Sequence, residues 1–179
     1  MNKIGPLVFL ALFLTVLPAM AHIEKGYMPD SVAEMEYRIL LEFKPDDNPT
    51  RSLLGMALLR QNKLSEAEKE FRLILKSEPK NFDALDSLGL ILLKEKRFPD
   101  ALQYLQTAIT IRPNDILVHL HLGLTLCSLG QTESARSTLA KGVTLLNTQG
   151  TPSTKEQQRA EFQTAMADLP KQSGTLPKK

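Results

Sequence analysis

Gly55, Gly89 and Gly123 recur in this chain at one 34-residue step, and so do Ala67, Ala101 and Ala135 and the prolines Pro45, Pro79 and Pro113. A fixed period of this length restricts the fold to a stack of supersecondary units, each burying its apolar face only against its neighbours. Candidate helix caps keep the same step, at Asp47, Asn81 and Asp115, each just ahead of an apolar run. Pro49 suits the first helical turn, where a missing N–H costs nothing. The units run over 48–81, 82–115 and 116–149. In the first, Leu53, Leu54, Met56, Ala57, Leu58 and Leu59 make a helix apolar nearly all round. After a polar turn, Leu64, Ala67, Phe71, Ile74 and Leu75 then form a stripe on a charged helix. An inner wall of first helices and an outer wall of second helices follows.

Both ends of the stack carry one further helix. Ser31 and Glu34 have the spacing of a capping box, and Ala33, Tyr37, Leu40 and Leu41 recur at helical spacing, so a helix is expected over about 31–43 with that face buried. Counted back from Gly55, it is the second helix of an incomplete unit. Ser153 with Glu156 opens a helix over about 152–169, with Phe162, Met166 and Leu169 on one face to close the other end. Residues 170–179 read as a disordered basic tail.

The first 21 residues follow a different logic. Lys3, the apolar run Leu7–Leu17 and the small residues of Ala19-Met20-Ala21 have the pattern of a secretory signal peptide cleaved between Ala21 and His22, with 22–30 a linker. An uncleaved anchor is the alternative, since residues 4–21 are just long enough to span a bilayer. The single cysteine, Cys127, allows no intramolecular disulfide, so the exported product must be held by packing. With 22 basic and 20 acidic residues, no field strong enough to recruit nucleic acid by counterion release is present.

The residues Leu54-Gly55, Ala67, Phe71 and Pro79, repeated as Leu88-Gly89, Ala101, Leu105 and Pro113 and as Leu122-Gly123, Ala135 and Leu139, resemble the tetratricopeptide repeat family. The chain departs from that pattern where Arg51, Leu85 and His119 stand for the common Trp, where Leu58, Leu92 and Leu126 stand for Tyr, and where Asn147 replaces the third closing Pro. Gly142 falls inside the last outer helix, where it costs about 1 kcal/mol against Ala, so the third unit is expected to be the softest. The resemblance implies an all-α fold, three helix-turn-helix units in a right-handed superhelix with terminal helices at both ends, making one domain over 31–169.

The resemblance also implies a concave groove lined by first helices that binds a protein or peptide. The positions carried over are Met56, Leu59 and Arg60; Asp86, Leu90, Leu93 and Lys94; and Leu120, Leu124 and Cys127. Ser52 and Met56 occupy places where relatives that clamp a terminal carboxylate carry Lys and Asn, which disfavours that ligand. An apolar wall suits an extended segment or an amphipathic helix instead. Enzyme chemistry lacks a constellation: His119 and His121 are two apart and point to different sides of a helix, and no phosphate loop, G-x-S-x-G or paired-cysteine motif occurs. No cofactor or metal is expected. The only opening for a metal-dependent enzyme is a mature His22 whose amine and imidazole chelate copper. The expected role is an exported periplasmic or secreted adaptor of a Gram-negative envelope, assisting assembly of a pilus, a secretion complex or a redox complex. A self-oligomerising scaffold is the alternative.

Overall fold

Each inner helix opens on a side-chain cap that the 34-residue step had already marked. The Asp47 carboxylate accepts the Thr50 N–H at 3.3 Å, Asn81 Oδ1 accepts the Ala84 N–H at 3.0 Å, and Asp115 Oδ1 accepts from Leu117 and Val118 at 3.0 and 3.1 Å. Each such cap contributes about 1 kcal/mol by satisfying an orphan donor of the first turn. The computed structural model describes residues 28–149 and 152–169. The expected leader at 1–21 with its Ala21–His22 cleavage site, most of the 22–30 linker and the 170–179 tail lie outside the described residues.

The chain divides into two compact units, Met1–Lys63 and Leu64–Lys179. The first holds α1 (Asp30–Phe43) and α2 (Asn48–Arg60). The second holds α3 (Leu64–Ser77), α4 (Phe82–Lys94), α5 (Phe98–Ile111), α6 (Ile116–Ser128), α7 (Thr132–Gln149) and α8 (Pro152–Ala167). Among the described residues there is no strand. The turns after α2, α4 and α6 also keep the step: Asn62, Lys96 and Gly130 take the left-handed conformation, with φ of 59°, 61° and 71°. Each is followed by an N–H that reaches back to close the helix, Lys63 to Leu58 O, Arg97 to Leu92 O and Gln131 to Leu126 O, at 2.8 to 2.9 Å. Only the third turn uses the residue with no Cβ to resist that conformation.

In the first unit α1 packs on α2, and two of its carboxylates bind the end of α2. Asp30 Oδ1 accepts from Arg60 Nε at 2.7 Å, while Glu34 Oε2 accepts from Lys63 Nζ at 2.7 Å and from Gln61 Nε2 at 2.9 Å. Arg38 binds the other Glu34 oxygen from one turn on. The Lys63 hydrogen bond, helped by Arg38 and Gln61 and opposed by burial, lowers the Glu34 pKa to about 2. This employment of Glu34 overturns the expected capping box. The helix starts at Asp30 with Pro29 as cap and no side-chain cap bond, because the carboxylate makes stronger charge-assisted bonds elsewhere. The expected burial of the α1 stripe is also corrected: Ala33 is buried, Tyr37 and Leu41 are partly buried, and Leu40 is 45% exposed.

In the second unit each helix packs on the next, and the inner helices α4 and α6 also touch. The glycines at the step set how closely a pair approaches. A Cβ on Gly89 would lie 2.4 Å from Leu105 Cγ, and one on Gly123 2.4 Å from Leu139 Cδ2. Leu105 and Leu139 are fully buried beside them. On the outer side Arg97 joins Glu68 of α3 at 2.9 Å, and Arg72 Nη1 donates to the Tyr104 hydroxyl at 3.0 Å.

Two features of the C-terminal end differ from expectation. With Asn147 where the earlier units have Pro, α7 runs for 18 residues against 14 in α3 and α5, because nothing removes the N–H that would end it. Gly142 has a packing role that the 34-residue step did not indicate. A Cβ there would lie 2.4 Å from Phe162 Cε1 and 3.0 Å from His119 Cβ, so the missing side chain is the seat of the fully buried Phe162. α8 thereby packs on α6 and α7, with Ala165 and Leu169 buried beside Phe162.

Candidate functional site

The inner wall of the second unit is made by α4 and α6. On α4, Asp86, Leu90 and Leu93 are partly buried and Lys94 is exposed. On α6, Leu124 and Cys127 are partly buried, and Leu93, Leu124 and Cys127 rest on the core. Leu120 departs from its expected place on the wall: at 3% exposure it belongs to the core, in the buried cluster that also holds Phe162, Ala165 and Leu169. The three positions carried over onto α2 lie in the first unit. There Met56 is 38% exposed, Leu59 is partly buried, and Arg60 holds Asp30 rather than standing as a spare rim cation.

An acid–imidazole pair on this wall uses His121, a residue that its spacing from His119 had left outside any constellation. His121 is nearly buried, and its Nδ1–H donates to Asp86 Oδ1 at 2.8 Å, tying α6 to α4. Its carbonyl accepts the fully buried Thr125 hydroxyl at 2.8 Å. The available signal was a spacing of 35 between Asp86 and His121, one residue more than the repeat, which sets neighbouring positions of consecutive inner helices side by side. The wall is therefore an apolar stripe of Leu90, Leu93 and Leu124, with one oriented acid–imidazole pair within it and Lys94 at its edge.

The other candidate groups are committed to structure. His119 Nε2–H donates to Pro113 O at 2.9 Å, and burial lowers the ring's pKa, which keeps it neutral. Burial, with the Asp168 charge adding to it, raises the Cys127 thiol, whose Sγ lies 4.0 Å from Ala165 O of α8. A thiol shifted that way is a poor nucleophile at neutral pH. No group of three or more metal-ligating side chains is assembled among the described residues. His22 lies outside them. Among the described residues, no helix is long and apolar enough to cross a membrane.

Capped helix pairs at a 34-residue step, closed on glycine and ending in a packed terminal helix, define a helical-repeat protein. Two family models described as tetratricopeptide repeat match the chain, over residues 52–116 and 92–144. The chain belongs to the tetratricopeptide repeat family. No curated protein matches it in sequence. Among solved structures, MamA 41-end from Desulfovibrio magneticus RS-1 is similar at a TM-score of 0.62 and 21% identity, covering 87% of this chain and 89% of that one. A MamA RS-1 ArsTM double mutant gives 0.62 and 20%, covering 88% and 94%. The complex of the TPR2B domain of yeast Sti1 with pHsp70 gives 0.59 and 18%, covering 67% of this chain and 96% of that one. At these identities the likeness is one of fold.

Proposed function

We propose that this protein is an exported, non-catalytic adaptor that holds a protein segment against the α4–α6 wall. The observation that carries this reading is the wall itself: Leu90, Leu93 and Leu124 remain partly accessible after folding, beside the Asp86–His121 pair and Lys94. Apolar side chains of a ligand can fill the stripe, while the polar pair selects its register by accepting or donating a backbone hydrogen bond. The Sti1 domain of similar fold, solved with pHsp70, supports a segment-binding role for such a scaffold. The raised Cys127 thiol and the neutral His119, bonded to Pro113 O, favour binding over catalysis.

Export is inferred from Lys3, Leu7–Leu17 and Ala19-Met20-Ala21, and the setting that follows is the periplasm, in the assembly of an envelope complex. The test places a photo-crosslinking residue at Lys94 in intact cells. An adduct with a second protein is expected, and it should disappear in the Leu90→Glu/Leu124→Glu variant. If that variant stays folded by circular dichroism and keeps its adduct, the wall is not the binding surface.

A further inference from the structure

The first unit presents a second surface that the α4–α6 wall does not account for. Met35, Ile39 and Phe43 follow one another at four-residue spacing along α1 and are 60%, 47% and 81% exposed, with Leu40 at 45% beside them. Four large apolar side chains on one helix of a folded unit form a patch, which marks an interaction surface more often than scattered single residues do. In later units only one of the three corresponding places on each outer helix is apolar, Leu73, Ile111 or Leu145, and the others are Lys69 and Ser77, Gln103 and Thr107, and Ser137 and Lys141.

The repeat indicates the shape of what is missing. Leu40 shares its register with Ala108 and Gly142, which are buried in the second unit. Leu105 and Leu139, one turn before those two, pack on the glycines of their own inner helices. α1 thus has the register of an outer helix, and the 34-residue step puts the counterpart of an inner helix at residues 14–26, which lie outside the described residues. A helix is therefore the shape that the repeat pairs with such a face.

Charge identifies the kind of helix. Glu36 and Glu42 lie three residues before and after Ile39, on or beside the stripe. Neither has a hydrogen-bond or ion-pair partner among the described residues, whereas Glu34 and Asp30 are bonded to Lys63, Gln61 and Arg60. A second copy is a poor occupant, because its α1 face brings the same Glu36 and Glu42 carboxylates to the contact. An occupant with Lys or Arg on both flanks of an apolar stripe pairs both carboxylates as it buries the four apolar side chains.

We propose that this face of α1 is a second docking surface, and that its occupant is a basic amphipathic helix of a partner protein. This goes beyond the α4–α6 wall and supplies the second contact that an adaptor needs.

The test titrates the full chain with a fluorescent synthetic 18-residue helix of leucines on one face and lysines on both flanks, and with a twin carrying glutamates for lysines. Saturable binding of the lysine peptide alone is expected. It should weaken at least tenfold in Ile39→Glu and stay unchanged in Leu90→Glu/Leu124→Glu, which separates this surface from the wall. Glu36→Lys/Glu42→Lys should transfer the preference to the glutamate twin. The proposal is overturned if Ile39→Glu binds the lysine peptide as the parent does, or if the charge reversal leaves the preference unmoved. It is also overturned if the parent chain does not bind. Sedimentation then names the occupant: a dimer lost in Ile39→Glu assigns a second copy, and a monomer with slow amide exchange along α1 assigns the chain's own first 27 residues.

Discussion

Replacing Gly89 by Ala adds one carbon at the closest approach of α4 to α5, and its cost follows from three distances. The new Cβ would stand 2.4 Å from Leu105 Cγ, 2.5 Å from Cδ2 and 3.1 Å from Cδ1, where carbons rest at about 3.5–4.0 Å. Rotation about the last side-chain bond moves only the methyls, so Cγ must retreat by about 1 Å with χ1 or with the helix. Leu105 is fully buried and has no space to enter. Overpacking of this kind costs about 1–3 kcal/mol, and contact with a branch point belongs near the upper end. Alanine returns about 1 kcal/mol of helix propensity. A net loss of about 2 kcal/mol follows, which lowers the melting temperature by about 4–8 °C in a domain of this size. Thermal and urea unfolding of Gly89→Ala, Leu105→Ala and the double variant should give a favourable coupling of at least about 1 kcal/mol, because the smaller residue removes the clash. Gly123→Ala, with Leu139 Cδ2 at 2.4 Å and Cγ at 2.6 Å, should lose as much. If Gly89→Ala were instead more stable by the full propensity gain, the wedge argument would be refuted.

Gly142→Ala should displace Phe162 and loosen α8: amide exchange in residues 155–167 should accelerate well before global unfolding, while exchange in α4 stays unchanged. Equal acceleration in both would show that Gly142 does not specifically seat α8. For Glu34 the folded pKa of about 2 lies below the ordinary 4.5, so its contribution is complete above pH 4.5 and is lost as pH falls toward 2. Lys63 and Arg38 are about 40% exposed, so screening holds the contribution to about 1 kcal/mol. α1 exchange in the parent should therefore accelerate more steeply than in Glu34→Gln between pH 5 and pH 2, and parallel profiles would sink the pairing argument.

Much of the fold was legible because its signals are local or periodic. Asp47, Asn81 and Asp115 each cap the helix immediately after them, and a cap needs only its own first turn. Gly89 and Gly123 announced a close approach through their step, although the partner atoms on Leu105 and Leu139 could not be read from it. Of the candidate site, Leu90, Leu93, Lys94 and Leu124 were reachable by register, whereas Leu120 and Arg60 were not. Register states which way a position points but not what stands in front of it. Leu120 is buried in the cluster that also holds Phe162, Ala165 and Leu169, and Arg60 is engaged by Asp30, thirty residues earlier. Glu34 was misread for a related reason: a capping box competes with any cation that folding brings near, and Lys63 and Arg38 both arrive.

The sequence alone determined the helical-repeat class, the unit length, the starts of the inner helices and the apolar character of the inner wall, because each depends on neighbours within one turn or one period. Only the tertiary structure decided that His121 meets Asp86, that Gly142 receives Phe162, and that Met35, Ile39, Leu40 and Phe43 of α1 stay exposed. These features involve residues from different helices, so their outcome is set by which surfaces the folded chain brings together and which it leaves exposed.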